Sequence, residues 1–130
     1  MSDFHRVNPT KLYETPTETC KIQSLVFDVP VAANTLALTG VTGTIIRVMG
    51  LIAQTQAGAG VIGSFRLKSN SGGTVILNWR YCPSYSVAGE AVFYPITDSG
   101  YCETTVSHSL YAEGAVGIVS TTIFYIVYTP

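Results

Sequence analysis

The chain has 130 residues and a formal net charge of −1, carried by only 7 basic and 8 acidic side chains. That length suits one domain, able to bury roughly two-thirds of the surface its unfolded chain exposes, and the charge balance offers no basic field to hold a nucleic acid or an anionic membrane. Apolar runs such as Ile123–Val127 fall far short of the ~20 residues of a membrane-spanning helix, and the stretch from Met1 to Pro9 has no apolar segment of a secretory signal. A cytosol-like compartment, with neither membrane nor nucleic acid as partner, is therefore the expectation.

Val, Ile and Thr make up 40 residues, and 12 Gly and 6 Pro punctuate the chain. Such a mixture favours strands and turns. Residues 1–21 show no sustained period of 2 or 3.6, and Pro9 and Pro16 deny them a continuous helix or ladder. They read as an extended N-terminal arm that either folds back on its own domain or docks on a neighbour. Phe4, Arg6, Lys11, Leu12 and Tyr13 are its candidate partner-binding residues.

Residues 22–130 read as a single domain of short antiparallel strands, a sandwich or barrel. Ile22–Val29 is the first strand, ended by Pro30, and a brief Thr35–Leu38 follows. Thr44–Gln54 is long enough to be central. In the run from Val61 to Ser69, Val61, Phe65 and Leu67 share one face, and Ser64, Arg66 and Lys68 share the other. Asn70–Gly73 tolerates positive φ and joins that run to a strand over Thr74–Trp79 as a hairpin. Arg80–Ser86 reads as an aromatic loop, and Ala91–Ile96 as a strand that Pro95 confines to an edge. Thr97–Gly100 is a turn, Ser107–Tyr111 a short strand, and Ala112–Gly114 another turn. The last run, Val116–Tyr128, is apolar at both parities: Val119, Ile123, Tyr125 and Val127 on one, Ile118, Phe124, Ile126 and Tyr128 on the other. Both faces should be covered. The sandwich core covers one, and a neighbouring subunit is the candidate cover for the other, which makes Ile118, Phe124, Ile126 and Tyr128 candidate oligomer-interface residues.

Chemistry is sparse. Cys20, Cys82 and Cys102 contain no Cys-x-x-Cys pair, so a zinc site from Cys82, Cys102 and His108 lacks the spacing that marks one. Buried free thiols are expected, with a Cys82–Cys102 disulfide as the alternative. Ser107-His108-Ser109 suggests an activated serine, but neighbours in a strand point to opposite faces. Gly58-Ala-Gly60 is a flexible loop rather than a phosphate cradle, and the spacing of Glu90, Asp98, Glu103 and Glu113 requires no carboxylate pair. No catalytic, metal or cofactor site is expected. Trp79, Tyr81 and Tyr85 are the other candidate contact residues: they either stack on a sugar ring or cap the sandwich core.

Seven of the 15 charges fall within the first 28 residues, which leaves the remaining 102 with eight. About a quarter of a soluble domain is ordinarily charged. So bare a body implies that much of its surface is covered, as in an assembly.

The segment from Thr44 to Tyr128 resembles small auxiliary proteins of tailed bacteriophages, the group that includes capsid decoration, or cement, proteins. The resemblance lies in Ile45-Ile-Arg-Val-Met-Gly-Leu-Ile, in Phe65-Arg-Leu-Lys-Ser-Asn-Ser-Gly-Gly, in Ser99-Gly-Tyr-Cys-Glu-Thr-Thr, and in Leu110-Tyr with the strand ending Ile123-Phe-Tyr-Ile-Val-Tyr128. Tyr101 departs from it, standing where many relatives carry Trp, and the first 43 residues have no counterpart. The resemblance implies a non-enzymatic, jelly-roll-like antiparallel sandwich, commonly a homotrimer, made in the host cytoplasm. Such a protein sits on the outer capsid surface of the virion and binds neighbouring major capsid protein subunits. A tail, neck or fibre-associated module that binds a host glycan through the Trp79–Tyr85 loop is the alternative.

Overall fold

The computed structural model describes residues 12–14, 19–30, 34–55, 63–81, 91–114 and 118–130. These form eleven strands: β1 (Leu12–Glu14), β2 (Thr19–Lys21), β3 (Gln23–Val29), β4 (Asn34–Leu38), β5 (Ile45–Thr55), β6 (Gly63–Ser69), β7 (Val75–Tyr81), β8 (Ala91–Tyr94), β9 (Cys102–Glu103), β10 (Leu110–Gly114) and β11 (Val119–Tyr128). No helix occurs among the described residues.

Two antiparallel sheets face each other. One has the order β3-β11-β5-β8, with β9 also pairing β5, and the other the order β4-β10-β6-β7. Apart from the β6–β7 hairpin and the short β9, successive strands from β3 onward alternate between the sheets in the order of a jelly roll, and the chain is an all-β antiparallel sandwich of that kind. The inward parity of each strand fills the space between the sheets. Val29, Val48, Leu51, Phe65, Leu67, Leu110, Val119 and Ile123 are fully enclosed there.

β5 is central, as its length implies, but it is not regular. Phe124 of β11 lies opposite Gly50 and Tyr125 opposite Val48, so Met49 is an extra residue in the ladder. This bulge switches parity along β5. Ile46 and Val48 point inward before it, Leu51 and Ala53 after it, and Met49 turns to the outer side. At the other edge of β5, β8 pairs residues 51–54 and β9 pairs Arg47 and Val48. Pro95 ends β8, as expected.

The β6–β7 hairpin forms at the expected turn, with Asn70 at φ 70°. β7, however, runs on through Arg80 and Tyr81 instead of opening into a loop at Arg80. The short strand expected over residues 107–111 begins three residues later, because Ser107 sits at φ 71° in a turn. The turn expected at Ala112–Gly114 is strand in β10.

Residues 104–109 instead tie the two sheets together. Thr104 exchanges bonds with Ile46 of β5: its N–H donates to the Ile46 carbonyl at 2.9 Å, and its Oγ1 accepts the Ile46 N–H at 3.0 Å. The Ser107 N–H donates to the Thr44 carbonyl at 2.8 Å. Toward the other sheet, Ser109 accepts from Asn70 N–H at 2.8 Å, donates to Asn70 Oδ1 at 3.1 Å, and accepts the Gly40 N–H on its Oγ at 2.8 Å. Gly40 is required here for closeness: a Cβ would lie 2.6 Å from the backbone of Ser107 and His108.

Candidate functional site

The two outer faces of the sandwich differ in where their charges lie. On the four-stranded sheet, Glu113 lies opposite both Asn34 and Arg66, and Tyr111 opposite Leu36 and Lys68. Arg66 and Lys68 approach the Glu113 carboxylate at 3.5 and 3.9 Å, and Lys68 donates to Asn34 Oδ1 at 3.3 Å. That face sets these paired charges beside the exposed Leu36 and Val75, which share a row with Tyr111 and Lys68.

On the outer face of the five-stranded sheet the charges lie toward its ends, Asp28 at one and Arg47 with Glu103 at the other, and the stretch between them is uncharged. Its register aligns Val26 with Thr122, Thr122 with Ile52, and Ile52 with Phe93, one residue from each of four adjacent strands. Val26 is 75% exposed, Ile52 42% and Phe93 64%. They form a row across the whole sheet, flanked by Ser24, Ser120, Gln54 and Ala91, with Asp28 at the margin. Large apolar side chains gathered in register on a surface indicate a contact face.

The other end of this face is already covered. Cys20, Ile22, Met49, Ile126 and Tyr128 form a second buried cluster, with Ile45, Ile96 and Phe124 packed against it. β1 and β2 pair antiparallel, β2 packs on β11, and the Cys20 thiol donates to the Val127 carbonyl at 3.3 Å. The expectation that a neighbouring subunit covers the second face of the last strand is corrected at this point. Ile126 is 1% exposed and Tyr128 5%, both enclosed by the chain's own residues 20–22 and the Met49 bulge, so neither has a face left for another copy. Phe124 is half-buried beside them, and Ile118, just ahead of β11, is 37% exposed.

The other sequence candidates divide as follows. Leu12 and Tyr13 lie in β1, opposite Lys21 and Cys20 of the same chain, so this part of residues 1–21 is paired rather than extended alone. Phe4, Arg6, Lys11 and Tyr85 lie outside the described residues, as does Cys82. Trp79 is half-buried, packs on the main core and meets Phe65 edge-on at 6.4 Å, which makes it part of the core rim. Tyr81 ends β7 opposite Gly63.

Two polar constellations are brought together by the fold. Arg47 Nε donates to Glu103 Oε2 at 2.9 Å, Arg47 Nη2 donates to the Tyr128 hydroxyl at 3.0 Å, and that hydroxyl donates to Glu103 Oε2 at 2.8 Å. The guanidinium also lies over the Tyr128 ring, 4.9 Å from its centroid. Burial pushes the Tyr128 phenol up, and the Glu103 carboxylate reinforces this. Burial alone would lower Arg47, but Glu103 and Tyr128 outweigh it and hold the guanidinium above its ordinary value. Beside the triad is an open cleft of about 330 Å³ lined by Arg47, Ser99, Gly100, Tyr101, Cys102 and Glu103. Cys102 is a free thiol pushed up to about 12, first by burial and then by Glu103. A thiol held protonated is a poor nucleophile and a poor metal ligand at neutral pH, and no group of three or more metal-ligating side chains occurs among the described residues.

His108 meets neither Ser107 nor Ser109 as a dyad. Its Nδ1 lies 2.8 Å from the Oγ of Ser69, 39 residues away, and that Oγ accepts the Thr105 N–H at 2.9 Å. The Ser69 hydroxyl and His108 Nδ1 share one hydrogen bond, whose direction depends on the ring's tautomer. A serine beside an imidazole is the geometry of an activated nucleophile. Ser69 is only 2% exposed, so its oxygen is closed to a substrate and the pair braces the loop.

Neither the apolar row nor the Ser69–His108 pair has a signal in local spacing, because each depends on cross-strand register. No family model matches the chain, and no curated protein matches it. Among solved structures it is similar to one of Bacillus endospore appendages, described as a novel family of disulfide-linked pili, at 9% identity over 95% of each chain with a TM-score of 0.49.

Proposed function

We propose that this chain is a structural virion protein, a capsid decoration protein that binds the outer surface of a phage head and holds neighbouring major capsid subunits together. The observation that carries the reading is the apolar row on the outer face of the five-stranded sheet, where Val26, Ile52 and Phe93 stand exposed side by side. The resemblance of residues 44–128 to phage auxiliary proteins supports it, as does the small number of charges after Asp28. The function is adhesion: burying apolar surface gains about 25 cal/mol per Å² before the cost of association. No step of bond chemistry is required.

Imaging the virus particle made by the genome that encodes the chain tests this. The expected result is sandwich-shaped density on the outer shell, seated by the face that carries Phe93, and its loss with Phe93→Asp. Density confined to the tail or neck would favour the glycan-binding alternative, and absence from the particle would overturn the reading.

A further inference from the structure

The four sheet edges are not equally protected. β8 has four residues and is stopped by Pro95, β4 has five and a register shift against β10, and β7 carries a register shift against β6. Short length, bulges and proline are the devices by which proteins keep sheet edges from pairing. β3 has none of them: it runs seven residues, from Gln23 opposite Tyr125 to Val29 opposite Val119, without a shift. It pairs only with β11, and no backbone group among the described residues bonds to its other side. Its one charged residue is Asp28, Val26 stands 75% exposed on its outer face, and the inward Leu25 and Phe27 are only half-buried.

We infer that β3 pairs antiparallel with β3 of a second copy of this chain across a twofold axis at Val26, which joins the two five-stranded sheets into one. The sequence of the strand selects both partner and register. Inward and outward faces match only if paired residue numbers sum to an even value, and centring on Val26 places Val26 on Val26, Leu25 on Phe27, and Ser24 on Asp28 of the partner. Apolar residues then meet apolar residues on both faces, the half-buried Leu25 and Phe27 complete each other's cover, and the only carboxylate faces a hydroxyl instead of its own copy. The apolar row becomes continuous through the junction, Phe93 to Phe93. The pairing stands apart from the shell-binding reading.

Equilibrium sedimentation of the full chain tests it, with three variants on exposed positions of β3. Wild type is expected to be a dimer at tens of micromolar. Ser24→Asp, which sets a second carboxylate against Asp28 of the partner, should weaken the dimer at least tenfold, whereas Ser24→Lys should leave it intact or tighten it. Val26→Cys, in a Cys82→Ser background, should form a disulfide-linked dimer on mild oxidation, because antiparallel partners lie within the Cα range a disulfide spans. A monomer at 100 µM, a trimer, an open polymer, or equal effects of Asp and Lys at position 24 would each overturn the pairing. A monomer that still coats particles would refute the pairing alone, and a dimer found on no particle would refute only the virion reading.

Discussion

Replacing Ser69 with alanine tests the brace between the sheets. Ser69 is 2% exposed, and its hydroxyl makes two bonds, accepting the Thr105 N–H at 2.9 Å and sharing a hydrogen bond with His108 Nδ1 at 2.8 Å. Each such bond contributes a net of about 1 kcal/mol, and a partner left unsatisfied in a partly buried site costs about 1–3 kcal/mol. Thr105 is exposed and recovers its bond from water, but the ring of His108 is half-buried and recovers only in part. The expected loss is therefore about 2 kcal/mol, which for a domain of this size lowers Tm by roughly 8 °C. Urea unfolding followed by the fluorescence of Trp79, the single tryptophan, at the core rim beside Phe65, provides the measurement. A cycle with His108→Ala should give a coupling of about 1 kcal/mol. A loss under 0.5 kcal/mol, or strictly additive single effects, would show that Ser69 and His108 do not act as a pair.

Other outcomes follow from the same geometry. Ile126→Ala should cost about 2–5 kcal/mol, as for a filled core, while Ile118→Ala should stay within about 0.5 kcal/mol; equal costs in thermal unfolding would refute the self-made cover of β11. Gly40→Ala should lose about 1–3 kcal/mol by forcing apart the backbone at Ser107 and His108, and an unchanged midpoint would refute the close approach. Burial holds Cys102 near 12 against an ordinary 9, so the unfolded chain loses this proton first. The stability it contributes is complete below about pH 9 and lost as pH rises toward 12. Consistent with this, Cys102 in Cys82→Ser protein should react with a disulfide reagent at pH 8 far more slowly when folded than in urea. A truncation through Cys20 should lower the unfolding midpoint, since it uncovers Met49 and Ile126; an unchanged midpoint in thermal unfolding would refute that cover.

The sequence shows most of the fold where apolar alternation is regular. β3, β5, β6 and β11 lie within two or three residues of their expected positions, and Asn70–Gly73 forms its hairpin because its residues accept positive φ. Elsewhere, local patterns gave way to tertiary contacts. Glu113 and Gly114 have turn chemistry but are held in β10 by β6 on one side and, at Glu113, by β4 on the other. β9 is two residues long, too short to carry a period. β1 and β2 lie in a segment rich in Thr, Glu and Pro and are held by each other and by β11. The outer side of the last strand is covered at Ile126 and Tyr128 by Cys20 and Ile22, about a hundred positions earlier in the same chain, a distance no periodicity spans. The contact face was hidden for a related reason: Val26, Ile52 and Phe93 are each an ordinary outward residue, and only register makes them one surface.

The extra residue at Met49 has a consequence for how this chain can change. Elsewhere in β5, losing one amino acid would turn part of the strand inside out and set polar groups against the core. Within the bulge, excision of Met49 straightens the ladder and keeps the inward parity of Ile46, Val48, Leu51 and Ala53. What disappears is one of the side chains on which Cys20 and Ile22 rest, so a single codon tunes how firmly the N-terminal hairpin is anchored.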